Sequence, residues 1–516
     1  MYRNWFLGTI FVFALADAHT QDLYHERYRP QIHFSPREHW MNDPNGLVYY
    51  EGVFHMFFQY YPGASVWGPM HWEHATSPDL LHWTEQPVAL YPDTFGYIFS
   101  GSVVVDEDNS SGFGSKKEKP LVAVFTQHDP ALEKEKSDFF QNQSIAYSLD
   151  HGFQWTKYKG NPVLLTPGLK DFRDPKVMWY APGKKWILTL AANDRVIFYS
   201  SKNLKTWEKE SDFGSERGSH VGVWECPDLM MCRVDGKNVW LLLVSVNPGG
   251  PQGGSGTQYF VGSFDGHRFR LVDTVTRWLD YGSDNYAGVT FSNFGEDKIF
   301  LGWMSNWQYA DKVPTVKWRS SMTIPRVLSL EKTAKSFHTI MTPVDLSSLE
   351  KKTSFYESPP QILNNLQLPL RIDFTTATMH SFTLTFSNPS GQEVKIGYDE
   401  PNKSFFIDRT RAGRSDFDSS FARIHFAPRI AITGKSKIIL LLDYSSVELF
   451  ADHGLTTMTD LVFPDEPYQT LRIEGLQTER ARKLPSLPPK KLEAMKNEDE
   501  FGGFVVEELQ SIWTKN

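Results

Sequence analysis

Three carboxylates sit in sequence contexts that would hold an acid rigidly: Asp43 in Trp40-Met-Asn-Asp-Pro-Asn-Gly46, Asp174 in Arg173-Asp-Pro175, and Glu225 in Trp224-Glu-Cys-Pro227. A nearby Pro, and Gly46 in the first case, restrict the backbone at each. Taken singly, each has an ordinary use. Asp43 could close an Asx turn, Asp174 could pair with Arg173 at the surface, and Glu225 could be a charge on an edge strand. Taken together, they suit an aromatic-lined pocket in which one carboxylate is ionised and Glu225, flanked by Trp224 and Cys226, is kept protonated by apolar neighbours. Two such acids on either side of a glycosidic bond are what retaining glycoside hydrolysis requires. Clustered acids also bind metals, but the chain has no D-x-D-x-D-G loop and no His pair of zinc spacing. It also lacks G-x-S-x-G, Walker A and dinucleotide-binding motifs, so neither a metal nor another cofactor is expected.

The elements that must bring these acids together read as β-strands. From residue 40 to about 330 the chain is a series of short apolar runs with turn punctuation, such as Phe54-His-Met-Phe-Phe58, Leu121-Val-Ala-Val-Phe125 and Val239-Trp-Leu-Leu-Leu243. No stretch keeps a helical period for three turns. Four segments repeat Ser, a turn with Asp or Asn, then an aromatic residue, beginning at Ser77, Ser148, Ser201 and Ser263 with spacings of 71, 53 and 62 residues. A second series places a polar turn before an apolar strand at Asp43, Ser100, Asp174, Glu225 and Asn285. Five starts predict five blades of a propeller, whose first strands line one central funnel. Residues 51 to 74 positions apart would then converge, and three of the five starts carry acids.

The 516 residues exceed one ordinary core, and the pattern changes after about residue 345. The expected division is an export signal over 1–18, a propeller over 19–344, a linker over 345–360 and a β-sandwich over 361–516, an all-β chain throughout. The signal reads from Arg3, the apolar run Trp5 to Ala14, and the Ala16-Asp-Ala18 cleavage pattern. The apolar run is about half the length a membrane anchor needs. A secreted, extracellular protein is expected, which makes the sequons at Asn109, Asn142 and Asn402 candidate glycan sites. Net charge is −8 with basic residues dispersed, so neither nucleic acid nor a membrane is an expected partner. Cys226 and Cys232 would lie about 20 Å apart on an extended strand, so they are expected to be free thiols. The charged segment 480–500 reads as a solvated loop before a last strand over 504–513.

The motif around Asp43, with Phe99-Ser-Gly-Ser102, Arg173-Asp-Pro175 and Glu225-Cys226, resembles in order and spacing the signature blocks of glycoside hydrolase family 32, the invertases and fructan hydrolases. Further similar blocks are Trp67-Gly-Pro-Met-His-Trp72, Asp280-Tyr-Gly-Ser-Asp-Asn-Tyr-Ala287, Gly302-Trp-Met-Ser-Asn-Trp307, Ser321-Met-Thr-Ile-Pro-Arg326 and, in the C-terminal part, Asp443 to Phe450. The resemblance implies a five-bladed β-propeller followed by a β-sandwich, and a β-fructofuranosidase. Asp43 would be the nucleophile, Glu225 the acid and then base, and Asp174 the stabiliser of the transition state. It further implies that Asn42, Gln59, Trp67, Phe99, Ser100, Arg173 and Trp303 shape a fructose pocket. The block beginning at Phe99 has Trp in many members. Sucrose is the expected substrate, with fructan hydrolysis or fructosyl transfer at the same site as alternatives. An inactive sugar-binding protein is a remoter one, disfavoured by retention of all three acids.

Overall fold

The computed structural model describes residues 23–115, 117–333, 336–430, 434–479 and 503–513, so the expected signal at 1–18 and the charged segment 480–500 lie outside the described residues. Five antiparallel sheets surround one axis. Their innermost strands are His39–Tyr50, Tyr97–Val105, Phe172–Tyr180, Val223–Val234 and Tyr286–Thr290, and each contains or adjoins one of the five predicted starts, the first two strands beginning four and three residues before Asp43 and Ser100. Neighbouring inner strands pack in sequence order, and the fifth returns to the first. The ring is closed by Trp318–Arg319, which leaves the fifth blade to pair in parallel with His39 and Trp40.

Why the strands are so uniformly apolar follows from this arrangement, because each blade is covered on both faces and alternate residues enter different wedges. In Lys185–Ala192, Trp186, Leu188 and Leu190 pack toward the second blade, while Ile187 packs toward the fourth. The Ser-turn-aromatic repeat is the hairpin between the third and fourth strands of a blade. Ser77 Oγ bonds Asp79, whose carboxylate caps Leu81 N and His82 N at 3.0 and 2.9 Å, and Trp83 Nε1 closes on Leu80 O at 2.8 Å. The second blade repeats it with Ser148, Asp150 and Trp155, and the third begins it again with Ser201 and Asn203. The fifth blade makes this connection through Thr333 and Ser336 instead, which is why five blades carry four copies.

All five inner strands break register at the same level. Across Met41/Pro44, Ile98/Gly101, Arg173/Lys176, Glu225/Asp228 and Tyr286/Val289 the inner strand advances three residues while its partner advances two. Each is a β-bulge, a device that bends a strand and re-aims its side chains. Phe172–Tyr180 and Val223–Val234 are edges of their sheets, and His39–Tyr50 pairs outward with Trp318–Arg319 only at His39 and Trp40, so Pro44, Pro175 and Pro227 sit where one side of the strand has no ladder partner. Asp174, Cys226 and Ala287 take left-handed backbone at φ of 64°, 45° and 52°. The bulges let successive residues such as Asn42 and Asp43, or Arg173 and Asp174, face the axis together. Cys226 and Cys232 lie on one strand, Val223–Val234, as buried free thiols.

The C-terminal region is a sandwich of two six-stranded sheets. The stretch 345–360 differs from the linker expected from its Pro-containing sequence. Glu350–Tyr356 is an outer strand of the sandwich, paired with Phe504–Leu509, with Lys351 and Lys352 exposed and no residue of the strand fully buried, as suits an edge. The predicted last strand is present but central, lying between Glu350–Tyr356 and Leu370–Thr376.

Two buried ionic clusters lock sandwich to propeller. Arg326 reaches Asp280 at 2.9 Å and Glu448 at 2.5 Å, and His33 bonds Asp443 at 2.8 Å and Glu448 at 2.9 Å. In the second cluster Arg409 pairs with Asp284 at 2.7 Å beside Tyr309. Both ring nitrogens of His33 face carboxylates, which a doubly protonated ring satisfies. Burial alone would lower its pKa, but the bonds to Asp443 and Glu448 raise it to about 9. A His raised this way contributes stability that is complete below its ordinary value near 6.5 and is lost as pH climbs through about 9. Glu448→Ala leaves Arg326 and His33 short of a buried partner and should destabilise the fold by about 3–5 kcal/mol at pH 6. Denaturant unfolding at pH 6 and pH 9.5 reads this directly: the gap between variant and parent should narrow at the higher pH. An equal gap at both would show that His33 is not the titrating partner.

Candidate active site

Where the five inner strands begin, the axis opens into a cavity of about 390 Å³ lined by Asp43, Asp174 and Glu225. Asp43 is held on both oxygens: Asn42 Nδ2 donates to Oδ1 at 2.9 Å and Ser100 Oγ to Oδ2 at 2.9 Å. Asn42 is itself fixed by Trp40 Nε1 at 2.8 Å. Glu225 accepts from Arg173 at 2.8 and 3.2 Å and from the Tyr286 hydroxyl, so its surroundings are polar rather than the apolar flank its neighbours in sequence suggest. Trp224 points away into the wedge between the third and fourth blades, since adjacent strand residues face opposite ways. Asp174 accepts from Cys226 N at 3.1 Å, and the Cys226 thiol lies 3.5 Å from Asp43 and 3.6 Å from Asp174.

Several acids therefore surround one cation, Arg173, which also pairs with Asp171 at 2.5 Å. Burial opposes its charge, but Glu225, Asp171 and Asp174 hold its pKa well above the ordinary value. Burial and then the charge of Glu225 raise Asp43, while bonds from Asn42 and Ser100 oppose the rise. Burial is also the largest cause for Asp174. Arg173 opposes it, Glu225 and Asp43 add to it, and the carboxyl is pushed up to about 7. A cavity of this kind favours positive charge developing in a bound molecule and resists an unpaired anion.

The Asp174 shift has a cost in stability. An acid whose folded pKa is raised contributes stability below its unfolded value, near 3.8, and that contribution is lost as pH rises through about 7. Asp174→Asn keeps the side-chain shape, and Asn accepts the left-handed backbone at φ 64°. The variant should melt above the parent at pH 8, by a stabilisation on the order of 3 kcal/mol, and match it near pH 4. Equal melting temperatures at pH 8 would contradict the raised pKa.

Of the residues expected to shape the pocket, Asn42, Gln59, Trp67, Phe99, Ser100 and Arg173 line it, but Trp303 does not. Trp303 is fully buried behind Trp307, with ring centroids 4.8 Å apart, because its strand turns that residue toward Trp40 and Tyr286. Trp307, four residues on, takes the lining position. Sequence reasoning also missed Tyr286, although it follows the fifth predicted strand start and could have been found from the repeat. His128 at the end of strand Leu121–His128, Glu133 in the short helix Pro130–Lys134, and Phe140, Asp171 and Asp311 in loops also line the cavity, and none stands in a repeated motif.

The family model described as Glycosyl hydrolases family 32 N-terminal domain matches residues 33–341, and the corresponding C-terminal model matches residues 327–485. The levanase of Bacillus subtilis (strain 168) is 45% identical over 479 residues, covering 89% of this chain and 70% of that protein. The crystal structure of exo-inulinase from Aspergillus awamori superposes with a TM-score of 0.84 at 34% identity, covering 95% of this chain and 100% of that one. The structure of a β-fructofuranosidase from Schwanniomyces occidentalis complexed with fructosyl-erythritol gives 0.81 at 32% identity, covering 95% and 99%. Both the propeller and the sandwich are thus accounted for along the chain, and the protein belongs to glycosyl hydrolase family 32 as a glycoside hydrolase.

Proposed function

We propose that the protein is a secreted, retaining β-fructofuranosidase that removes terminal fructosyl units, with sucrose as its smallest substrate. The observation that carries this reading is the pairing of a doubly held Asp43 with a Glu225 oriented by Arg173 and Tyr286 in one cavity. Asp43 attacks the anomeric carbon as the bond to the leaving oxygen breaks, and Glu225 passes its proton to that oxygen. Water then gives its proton to Glu225 and displaces Asp43, so two inversions leave the configuration retained. Asp174 faces the fructosyl hydroxyls, and the negative cavity stabilises the oxocarbenium-like charge.

The similarity to levanase and exo-inulinase favours a second substrate class, the terminal unit of fructan chains. The deciding experiment measures glucose and fructose released together from rising sucrose, with inulin and levan run in parallel. Equal release is the expected outcome. Glucose in growing excess would replace hydrolysis with fructosyl transfer, and no release from any of the three sugars would end the proposal.

A further inference from the structure

The mouth of the cavity continues into an aromatic surface that the catalytic groups leave unused. Trp67, 40% exposed on the rim, meets Phe99 at 6.3 Å and Tyr97 at 6.5 Å between ring centroids. Met70, which lines the cavity, accepts from Ile98 N at 3.0 Å, and the next residue, His71, packs against Tyr91 at 5.5 Å between ring centroids. Tyr91 and Phe95 are 57% and 47% exposed on the turn joining the first blade to the second. Aromatic side chains thus run outward from the cavity across the blade boundary.

That turn is built to hold them. Asp93 at its centre accepts from Phe95 N at 2.8 Å, Gln127 Nε2 at 2.7 Å and Lys157 Nζ at 2.6 Å, and Lys157 also donates to Tyr91 O at 2.5 Å. Asp93 and Gly96 exchange both backbone bonds. Large rings left in water on a latched turn are unfavourable unless something covers them, and a surface fixed in advance loses little entropy when it is covered.

The geometry points to a binding track for a fructan chain, with the terminal unit in the cavity and the following units crossing Trp67 and Tyr97 toward Tyr91 and Phe95. This rests on the proposed function above, which places the terminal fructosyl unit among the three acids. A sugar ring offers C–H faces to aromatic rings and hydroxyls to their polar surroundings, here Asp93, Lys157 and the Tyr91 hydroxyl. The occupant is a chain longer than sucrose, because Trp67 and Phe99 line the cavity that takes the terminal unit while Tyr91 and Phe95 lie outside that lining.

The test is the double variant Tyr91→Ala and Phe95→Ala, which leaves the Asp93 latch in place. Its kcat/KM on long-chain inulin or levan should fall about tenfold, while that on sucrose stays within about twofold of the parent. In gels containing dissolved inulin or levan, the parent should be retarded and the variant should run free. Unchanged polymer kinetics and retardation, or an equal loss on sucrose, would overturn the track. Should the parent split neither sucrose nor fructan, the proposed function fails, and the gel still reads the track because retardation needs no turnover.

Discussion

Asp43→Ala should lower kcat on sucrose by roughly 10^5-fold, about 7 kcal/mol of transition-state stabilisation, with the fold intact. The two halves of this outcome follow from the same contacts. The Asp43 carboxylate is bonded by side chains, those of Asn42, Ser100 and Cys226, so its removal breaks no strand pairing. Its carboxyl is raised by burial and by Glu225, so the folded state gains when that charge is deleted. The variant should therefore melt at or slightly above the parent's temperature at neutral pH, with an unchanged circular dichroism spectrum. Activity above about a tenth of the parent's would remove Asp43 as nucleophile. A collapse of the spectrum in step with activity would make its role structural.

The legible part of this fold was whatever repeated. Five polar strand starts and four Ser-turn-aromatic hairpins are local devices, each set by a few adjacent residues, so their copies could be counted before any packing was known. The missing fifth hairpin is local too: Thr333 and Ser336 close the turn without an aromatic partner. The acids were legible because Pro within one or two residues in an otherwise apolar run marks a place where ladder pairing is one-sided, and the innermost strands of the third and fourth blades are edges, while that of the first is paired outward only at His39 and Trp40.

What could not be read was whatever depends on which way a side chain faces after a bulge, or on partners hundreds of residues away. Trp303 and Trp307 lie in one block, and only the register of the fifth blade decides that the second lines the cavity. The apolar neighbours of Glu225 misled for the same reason: strand alternation sends Trp224 into a wedge, while Arg173 arrives from the adjacent blade. Asp443 and Glu448 stood out in sequence only as a resemblance. Their partners, His33 and Arg326, come from the start and end of the propeller. Asp280 ties that cluster to the site, since it accepts from Arg326 and from Asn285, the residue before Tyr286. The sandwich thereby braces the strand that delivers a hydroxyl to Glu225.

Glu225→Ala should cost about 10³- to 10⁴-fold in kcat/KM on sucrose, less than loss of the nucleophile, because proton transfer contributes only part of the barrier reduction. Its signature is chemical. With a fructoside whose leaving group needs no proton, the first step survives through Asp43, and the fructosyl-enzyme then waits for water that no base activates. Azide needs no base, so it should restore turnover and yield a fructosyl azide of retained β configuration. The Ala change also deprives Tyr286 and Arg173 of an acceptor, although Arg173 keeps Asp171 at 2.5 Å. Glu225→Gln controls for this, since its amide oxygen can still accept from Arg173 while the side chain cannot deliver a proton. If Gln restores sucrose activity, Glu225 acts by position alone. If azide instead gives the inverted product, the nucleophile has been lost rather than the base, and the roles of Asp43 and Glu225 must be exchanged.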